Sequence, residues 1–274
     1  MSQRADVRSA VSNARTLPFD EFIHSVGELA ADDGSFGWLA GTHGVAAKAL
    51  TPAGAELAAD ALVTIGHRGF ARVTDGGFTG RWPSVVGAEH ADWFLLACDG
   101  RHLLIPRGRV IVDVHIHPAG LTDAGIGDVA VTGLDVDDLN PGAVDHVFAA
   151  AAAASVVVGS AFGAWRRHVD QVRARLAISY GGDDIADAAA AEIARTASDI
   201  DASRLQIANA ELRGDTAPFA QAIARARDAV DRLMASSRHA LDASDPVTAA
   251  WRDVHAGYRL AAAIVGQQGR PRGM

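Results

Sequence analysis

Residues 76–96 read Gly76-Gly77-Phe78-Thr79-Gly80-Arg81-Trp82-Pro83-Ser84-Val85-Val86-Gly87, then Ala88-Glu89-His90-Ala91-Asp92-Trp93-Phe94-Leu95-Leu96. Asp75-Gly76 suits a tight hairpin turn, because its residues tolerate positive φ. The apolar runs on either side are short and rich in aromatic and β-branched residues, as strands require. Asp92–Cys98, Arg101–Pro106 and Arg109–His115 extend the same pattern, broken at intervals by glycine and proline. Residues 62–139 are therefore expected to form a small β-barrel or sandwich.

The pattern is helical on both sides of this module. From residue 1 to 61, Pro18-Phe19-Asp20 opens one helix with Asp20 as the expected N-cap, and Thr51-Pro52 opens another. Asp32-Asp33-Gly34-Ser35 separates two helices. From residue 140 to 274, Asn140-Pro141-Gly142 reads as a helix start. Apolar residues then recur at steps of three and four: Phe162, Trp165, Val169, Val172 and Leu176; Phe219, Ile223, Ala226, Val230 and Leu233; Val247, Trp251, Val254, Tyr258, Ala261 and Val265. Ile193, Ile200 and Ile207 mark one more face. Connections near Gly181-Gly182-Asp183 and Gly214-Asp215 are short, so an antiparallel four-helix bundle is expected. The fold class is α+β: N-terminal helices, a central β domain and a C-terminal bundle.

A chain of 274 residues with 49% hydrophobic and 21% charged residues excludes disorder, collagen and a coiled coil. Aromatic residues are only 6%, so the core must rely on close contacts between alanine-rich helices. The net charge of -8 argues against a nucleic-acid surface, which needs concentrated Lys and Arg. Lys48 is the sole lysine. The single cysteine, Cys98, excludes internal disulfides and multi-thiolate metal sites and reads as a core thiol. Met1 to Thr16 lacks a long apolar stretch, so no signal peptide is expected and the cytoplasm is the expected compartment. Val147–Trp165 carries no charge and approaches the length of a membrane span, but its alanine, glycine and serine content fits a helix buried by other helices.

His115-Ile116-His117-Pro118 places two imidazoles on one face of a strand, a spacing that can hold zinc for a hydrolase. No third ligand follows at a fitting distance, since Asp123 and Asp128 fall elsewhere, and no metal site is assigned. No Gly-x-Ser-x-Gly elbow or phosphate-binding glycine loop is present.

The segments around Trp82, Leu104-Ile105-Pro106-Arg107 and Ala119-Gly120-Leu121 resemble the middle domain of the acyl-CoA dehydrogenase superfamily, most closely its reduced-flavin-dependent monooxygenase branch. Gly34-Ser35-Phe36-Gly37-Trp38 is similar to a helix opening in the family's N-terminal domain. Tyr180-Gly181-Gly182 with Ile185-Ala186-Asp187, and Trp251-Arg252-Asp253-Val254-His255-Ala256-Gly257, are similar to its first bundle turn and last-helix motif. The resemblance spans nearly the whole chain, although family members are commonly longer. It implies a flavoprotein oxidoreductase binding FAD or FMN, with Trp82, Pro83, Ser84, Gly120, Thr122 and Gly125 facing the flavin. Its substrate would be a small molecule, either an acyl thioester that is dehydrogenated or an aromatic or polyketide-like compound that is hydroxylated. A homotetramer, or a heteromer with a homologous subunit, is implied as well. The alternative is a non-catalytic subunit that retains the fold and assembles with a full-length homologue.

Two positions depart from the family's pattern. Ala124-Gly125-Ile126 stands where a Thr-Gly-Ser-like donor set is usual, and Tyr258-Arg259-Leu260 where the monooxygenase branch places a histidine. No glutamate follows Glu211, so no catalytic base is assigned.

Overall fold

The computed structural model describes residues 6–9, 11, 17–50, 57–58, 60–74, 77–98, 101–115, 119–135, 140–142, 144–178, 187–210, 215–235, 239, 242 and 244–266. The expected helix opening at Thr51-Pro52, the turn pair Asp75-Gly76, His117, and the Tyr180–Ala186 turn lie outside these residues.

After a helical stretch at residues 6–9 come two helices, α1 (Phe19–Asp32) and α2 (Gly34–Leu50). Pro18, not Asp20, occupies the N-cap of α1. Its backbone carbonyl accepts the Phe22 amide at 2.9 Å, while Asp20 and Glu21 sit in the first turn against the positive end of the helix dipole. The Asp33 carboxylate accepts the Phe36 amide at 2.9 Å and so starts α2 immediately after α1 ends. Fourteen of the 17 residues of α2 are buried, which makes it the layer between the bundle and the β module.

The β module is a sandwich of two four-stranded sheets. One runs β1 (Val63–Gly66), β4 (Trp93–Cys98), β5 (Arg101–Pro106) and β8 (Asn140–Gly142), with β1 and β4 parallel. The other runs β2 (Phe70–Thr74), β3 (Gly77–Val85), β7 (Gly127–Leu134) and β6 (Ile111–Val114). Phe78, Trp82, Val85, Phe94, Leu96, Ile105, Val129 and Val131 fill the space between them. Leu95 and Leu104 point the opposite way and join the helical core, so the first sheet is covered on both faces. The expected helix start at Asn140-Pro141-Gly142 is instead strand β8, paired with β5, and the next helix opens at His146. A Pro in a three-residue edge strand costs no ladder bond on the outer side, which is why a helix-start signal fits a strand here.

The C-terminal part is the expected bundle: α3 (His146–Ile178), α4 (Asp187–Ala210), α5 (Ala217–Ala235) and α6 (Pro246–Val265). Phe219, Ile223, Ala226, Val230 and Leu233 are all buried, as the period requires. Among the described residues α3 is the one helix long and apolar enough to cross a membrane, but 89% of its most apolar window is enclosed by protein. Small residues permit that enclosure. A Cβ on Gly159 of α3 would lie 2.1 Å from the Gly27 carbonyl oxygen of α1, so the two backbones touch.

Candidate functional site

Strand β3 carries the decisive irregularity. Trp82 pairs with Val129 and Val85 with Gly127, so β3 holds one residue more than β7 between those pairs, a β-bulge. Pro83, which has no amide to donate, and Ser84, at φ 53°, occupy the bulge. A serine in the left-handed region needs support, and Asp128 on β7 supplies it by accepting the Ser84 amide at 3.1 Å. Asp128 also accepts Arg81 at 3.0 Å and lies 3.2 Å from His115. Burial pushes the Asp128 carboxyl up, but the Ser84 amide, Arg81 and His115 outweigh it and hold it below its ordinary value.

The bulge thrusts Pro83 and Ser84 onto the rim of a cavity of about 270 Å³. Trp38 and Thr42 of α2, Ile65 of β1, the following His67 and Arg68, Val85 and Val86, and Arg259, Leu260, Ala263 and Ile264 of α6 complete it. The walls are mainly apolar. Among the described residues its charges come from Arg68 and Arg259, which have no hydrogen-bond or ion-pair partner there, and no carboxylate is among the described lining residues. In a chain of net charge -8 this is a local cationic site. Burial, then repulsion from His102 and His146, pushes His67 down to about 3, so it is a neutral imidazole at physiological pH. Burial, with His146, likewise lowers His102 to about 4.

A second cavity of about 330 Å³ lies further toward the start of α2 and α6. Ser35, Trp38 and Thr42 descend one face of α2, so the two cavities are successive stations along the same helix. This one is polar: Asp33, Ser35, Gly120, Thr122, Asp123, Ser160, Arg167, Arg252 and Asp253 contribute. Asp253 accepts the Leu121 amide at 2.6 Å and thereby fixes Leu121 at φ 54°. Burial first, then Asp33 and Asp123, raises its carboxyl to about 6 against the opposing effects of the Leu121 amide and Arg167. Gly120 has φ +127°, and a Cβ there would lie 2.4 Å from the Arg252 carbonyl oxygen, so the turn sits directly on α6.

The residues expected at a flavin are thus distributed over four places. Pro83 and Ser84 line the cationic slot, and Gly120 and Thr122 line the polar cavity. Gly125 packs below Glu89 and His90 and lines neither. Trp82 is fully buried in the sandwich, where its Nε1 donates to the Ala97 carbonyl at 2.8 Å. It supports the bulge from behind instead of walling the slot. Gly69 and Gly80 leave room for its ring, since a Cβ on either would lie within 2.4 Å of an indole carbon. His67, Arg68, Arg259 and Asp128 were missed as site residues, because nothing in their local spacing reveals a slot built from four distant segments. The one available signal was the paired departure at Tyr258-Arg259-Leu260, which places a guanidinium on the last helix. His115 is drawn to Asp128, and among the described residues no group of three or more His, Cys, Asp or Glu side chains is arranged to hold a metal.

No family model matches the chain. It is 28% identical over 242 residues to the flavin-dependent monooxygenase oxygenase subunit HsaA of Rhodococcus jostii (strain RHA1), covering 69% of this chain and 63% of the relative. The chain thus spans less than two thirds of the length of the curated relatives it matches. Its structure superposes on the 3-HSA hydroxylase from Rhodococcus sp. RHA1 with a TM-score of 0.73, at 25% identity, covering 92% of this chain and 83% of that one. It also superposes on XiaF from Streptomyces sp., in complex with FADH2 and glycerol, with a TM-score of 0.74 at 18% identity, covering 99% and 88%. The fold is acyl-CoA dehydrogenase-like, and the homologues that share it are flavin-dependent monooxygenases.

Proposed function

We propose that this chain is a flavin-dependent monooxygenase that hydroxylates a small aromatic or polyketide-like molecule. The carrying observation is the slot at the β3 bulge, which among the described residues combines mainly apolar walls, two guanidinium groups without a partner and no acidic residue. These residues fit a flavin: Trp38, Ile65, Pro83 and Ile264 present apolar surface to a planar ring, and Arg68 and Arg259 complement its electron-rich or phosphate portions. When bound in reduced form, FAD or FMN supplies the activation of oxygen.

The chain's own residues do the rest. The Asp128 carboxylate accepts the Ser84 amide and so holds the bulged backbone in one conformation at the rim. His67, kept neutral, can exchange one hydrogen bond with a ligand without bringing charge. Gly120 and Thr122 border the second cavity, and Trp82 packs behind the bulge. Dehydrogenation of an acyl thioester requires a base beside the substrate, and the described residues lining the slot include no carboxylate, which favours hydroxylation. A cytoplasmic homotetramer, or a heteromer with a homologous subunit, belongs to the same reading and is tested by light scattering.

The test is anaerobic titration with reduced FMN and FAD, followed by absorption. Saturable binding is expected, weakened about tenfold by removing both guanidinium groups in an Arg68→Ala, Arg259→Ala variant, equivalent to about 1.4 kcal/mol. Failure to bind either flavin at micromolar concentration overturns the reading and leaves a non-catalytic, fold-retaining subunit in its place.

A further inference from the structure

A buried chain of titratable groups lies at the opposite end of α6 from the slot. His168 of α3 and His239, in the connection before α6, are both 7% exposed. His168 Nδ1 lies 2.7 Å from His239 Nε2, with the rings nearly perpendicular. His239 Nδ1 lies 2.8 Å from an oxygen of Asp245. Asp245 is the N-cap of α6: its other oxygen accepts the Val247 amide at 2.7 Å and Gln171 of α3 at 3.3 Å. The Thr248 hydroxyl donates to the His239 carbonyl at 2.7 Å, closing the loop. Nothing in the proposed oxygenation uses these groups.

We propose that His168, His239 and Asp245 form an acid-sensitive latch that ties the head of α6 to α3 and releases it when the histidine pair takes up a second proton. Proton accounting follows from the distances. With both rings neutral, His239 donates from Nδ1 to the Asp245 carboxylate, and its bare Nε2 accepts the Nδ1 proton of His168. One added proton enters at His168 Nε2, and the Nδ1 proton passes to His239 Nε2. The bond survives with its direction reversed, and the imidazolium faces a carboxylate. A second proton leaves an N–H on both facing nitrogens, and the bond becomes a repulsive contact.

The charged groups bearing on His168 are Arg175 on α3 and Asp245 at the head of α6, and Asp245 in turn bears on Asp242 in the connection. Burial, then His239 and Arg175, lowers His168 to about 4, with Asp245 opposing. Burial raises Asp245, but its bonds from His239 and Val247 outweigh this and keep it below its ordinary value. The latch therefore holds through the neutral range and opens in acid. Release frees the α6 turns bearing Ala249, Ala250, Arg252 and Asp253, which line the polar cavity.

Amide hydrogen exchange on the full chain without flavin tests this independently of what the slot binds. After correction for intrinsic exchange, residues 246–256 are expected to lose about tenfold in protection as the pH falls from neutral to about 4, while β4 keeps its protection. His168→Asn places an amide nitrogen where Nδ1 was and removes the titration, so protection should persist in acid. His168→Phe strands His239 and should lower protection already at neutral pH. Equal acid loss in the wild type and His168→Asn overturns the proposal. Imidazole nitrogen shifts of the wild type decide the matter if a variant fails to fold: titration of His168 below about pH 5 supports the latch, and titration near the ordinary value of about 6.5 refutes it.

Discussion

Asp253→Asn isolates a charge that the fold holds at a cost. The Asp253 carboxyl is half-buried between α2 and the 120–126 turn, with Asp33 and Asp123 nearby, and its value rises from 3.8 to about 6. A carboxyl raised on folding contributes stability in its protonated form. That contribution is complete below the unfolded value and disappears as the pH rises through about 6. At one unit per 1.36 kcal/mol the full shift corresponds to about 3 kcal/mol, and solvent at the cavity mouth screens it to about 1–2 kcal/mol. Asparagine keeps an oxygen for the Leu121 amide but carries no charge. Urea denaturation at several pH values should show the wild type losing about 1–2 kcal/mol relative to Asp253→Asn between pH 4 and 8, with equal m-values. Parallel pH profiles for the two proteins would refute the electrostatic account. Asp253→Ala, which strands the buried Leu121 amide, should cost about 1–3 kcal/mol at every pH.

Trp82→Ala removes the largest side chain enclosed by the sandwich and leaves the Ala97 carbonyl without its donor, so a loss of about 3–5 kcal/mol is expected in chemical denaturation; a loss below 1 kcal/mol would show that the indole is not core. Gly159→Ala forces a methyl against the Gly27 carbonyl and should cost about 3 kcal/mol, read as a lowered melting temperature. Asp128→Ala releases the Ser84 amide and should alter the bulge with only about 1–2 kcal/mol lost, while flavin affinity falls by more than the stability change would explain. A variant with unchanged flavin affinity would remove Asp128 from the site.

The helices were readable because their apolar residues recur at steps of three and four and because glycine-rich or aspartate-rich connections punctuate them. Phe219 through Leu233 and the Asp32–Ser35 break carry that signal without help from distant residues. The strands around Trp93 and Leu104 were equally legible from β-branched and apolar runs. Asn140-Pro141-Gly142 misled because proline and glycine serve a helix start and an edge strand alike, and only pairing with β5 separates the two. Trp82 misled in a different way: its neighbours mark a family segment, yet the residues that enclose its ring, Gly69 and Gly80, are a hairpin apart.

Sequence alone determined the order of helices, β module and bundle, because hydrophobic periodicity is a local property. It also determined that the bundle would pack closely, since alanine and glycine offer little else to bury. The slot was decided by tertiary structure. His67 and Arg68 after β1, the bulge in β3, Trp38 of α2 and Arg259 of α6 converge from positions more than 200 residues apart, and neither the lack of a carboxylate among the described lining residues nor the neutrality of His67 is a property of any one segment. Charge and burial at a point in space depend on which distant residues meet there, and that is set only when the layers close.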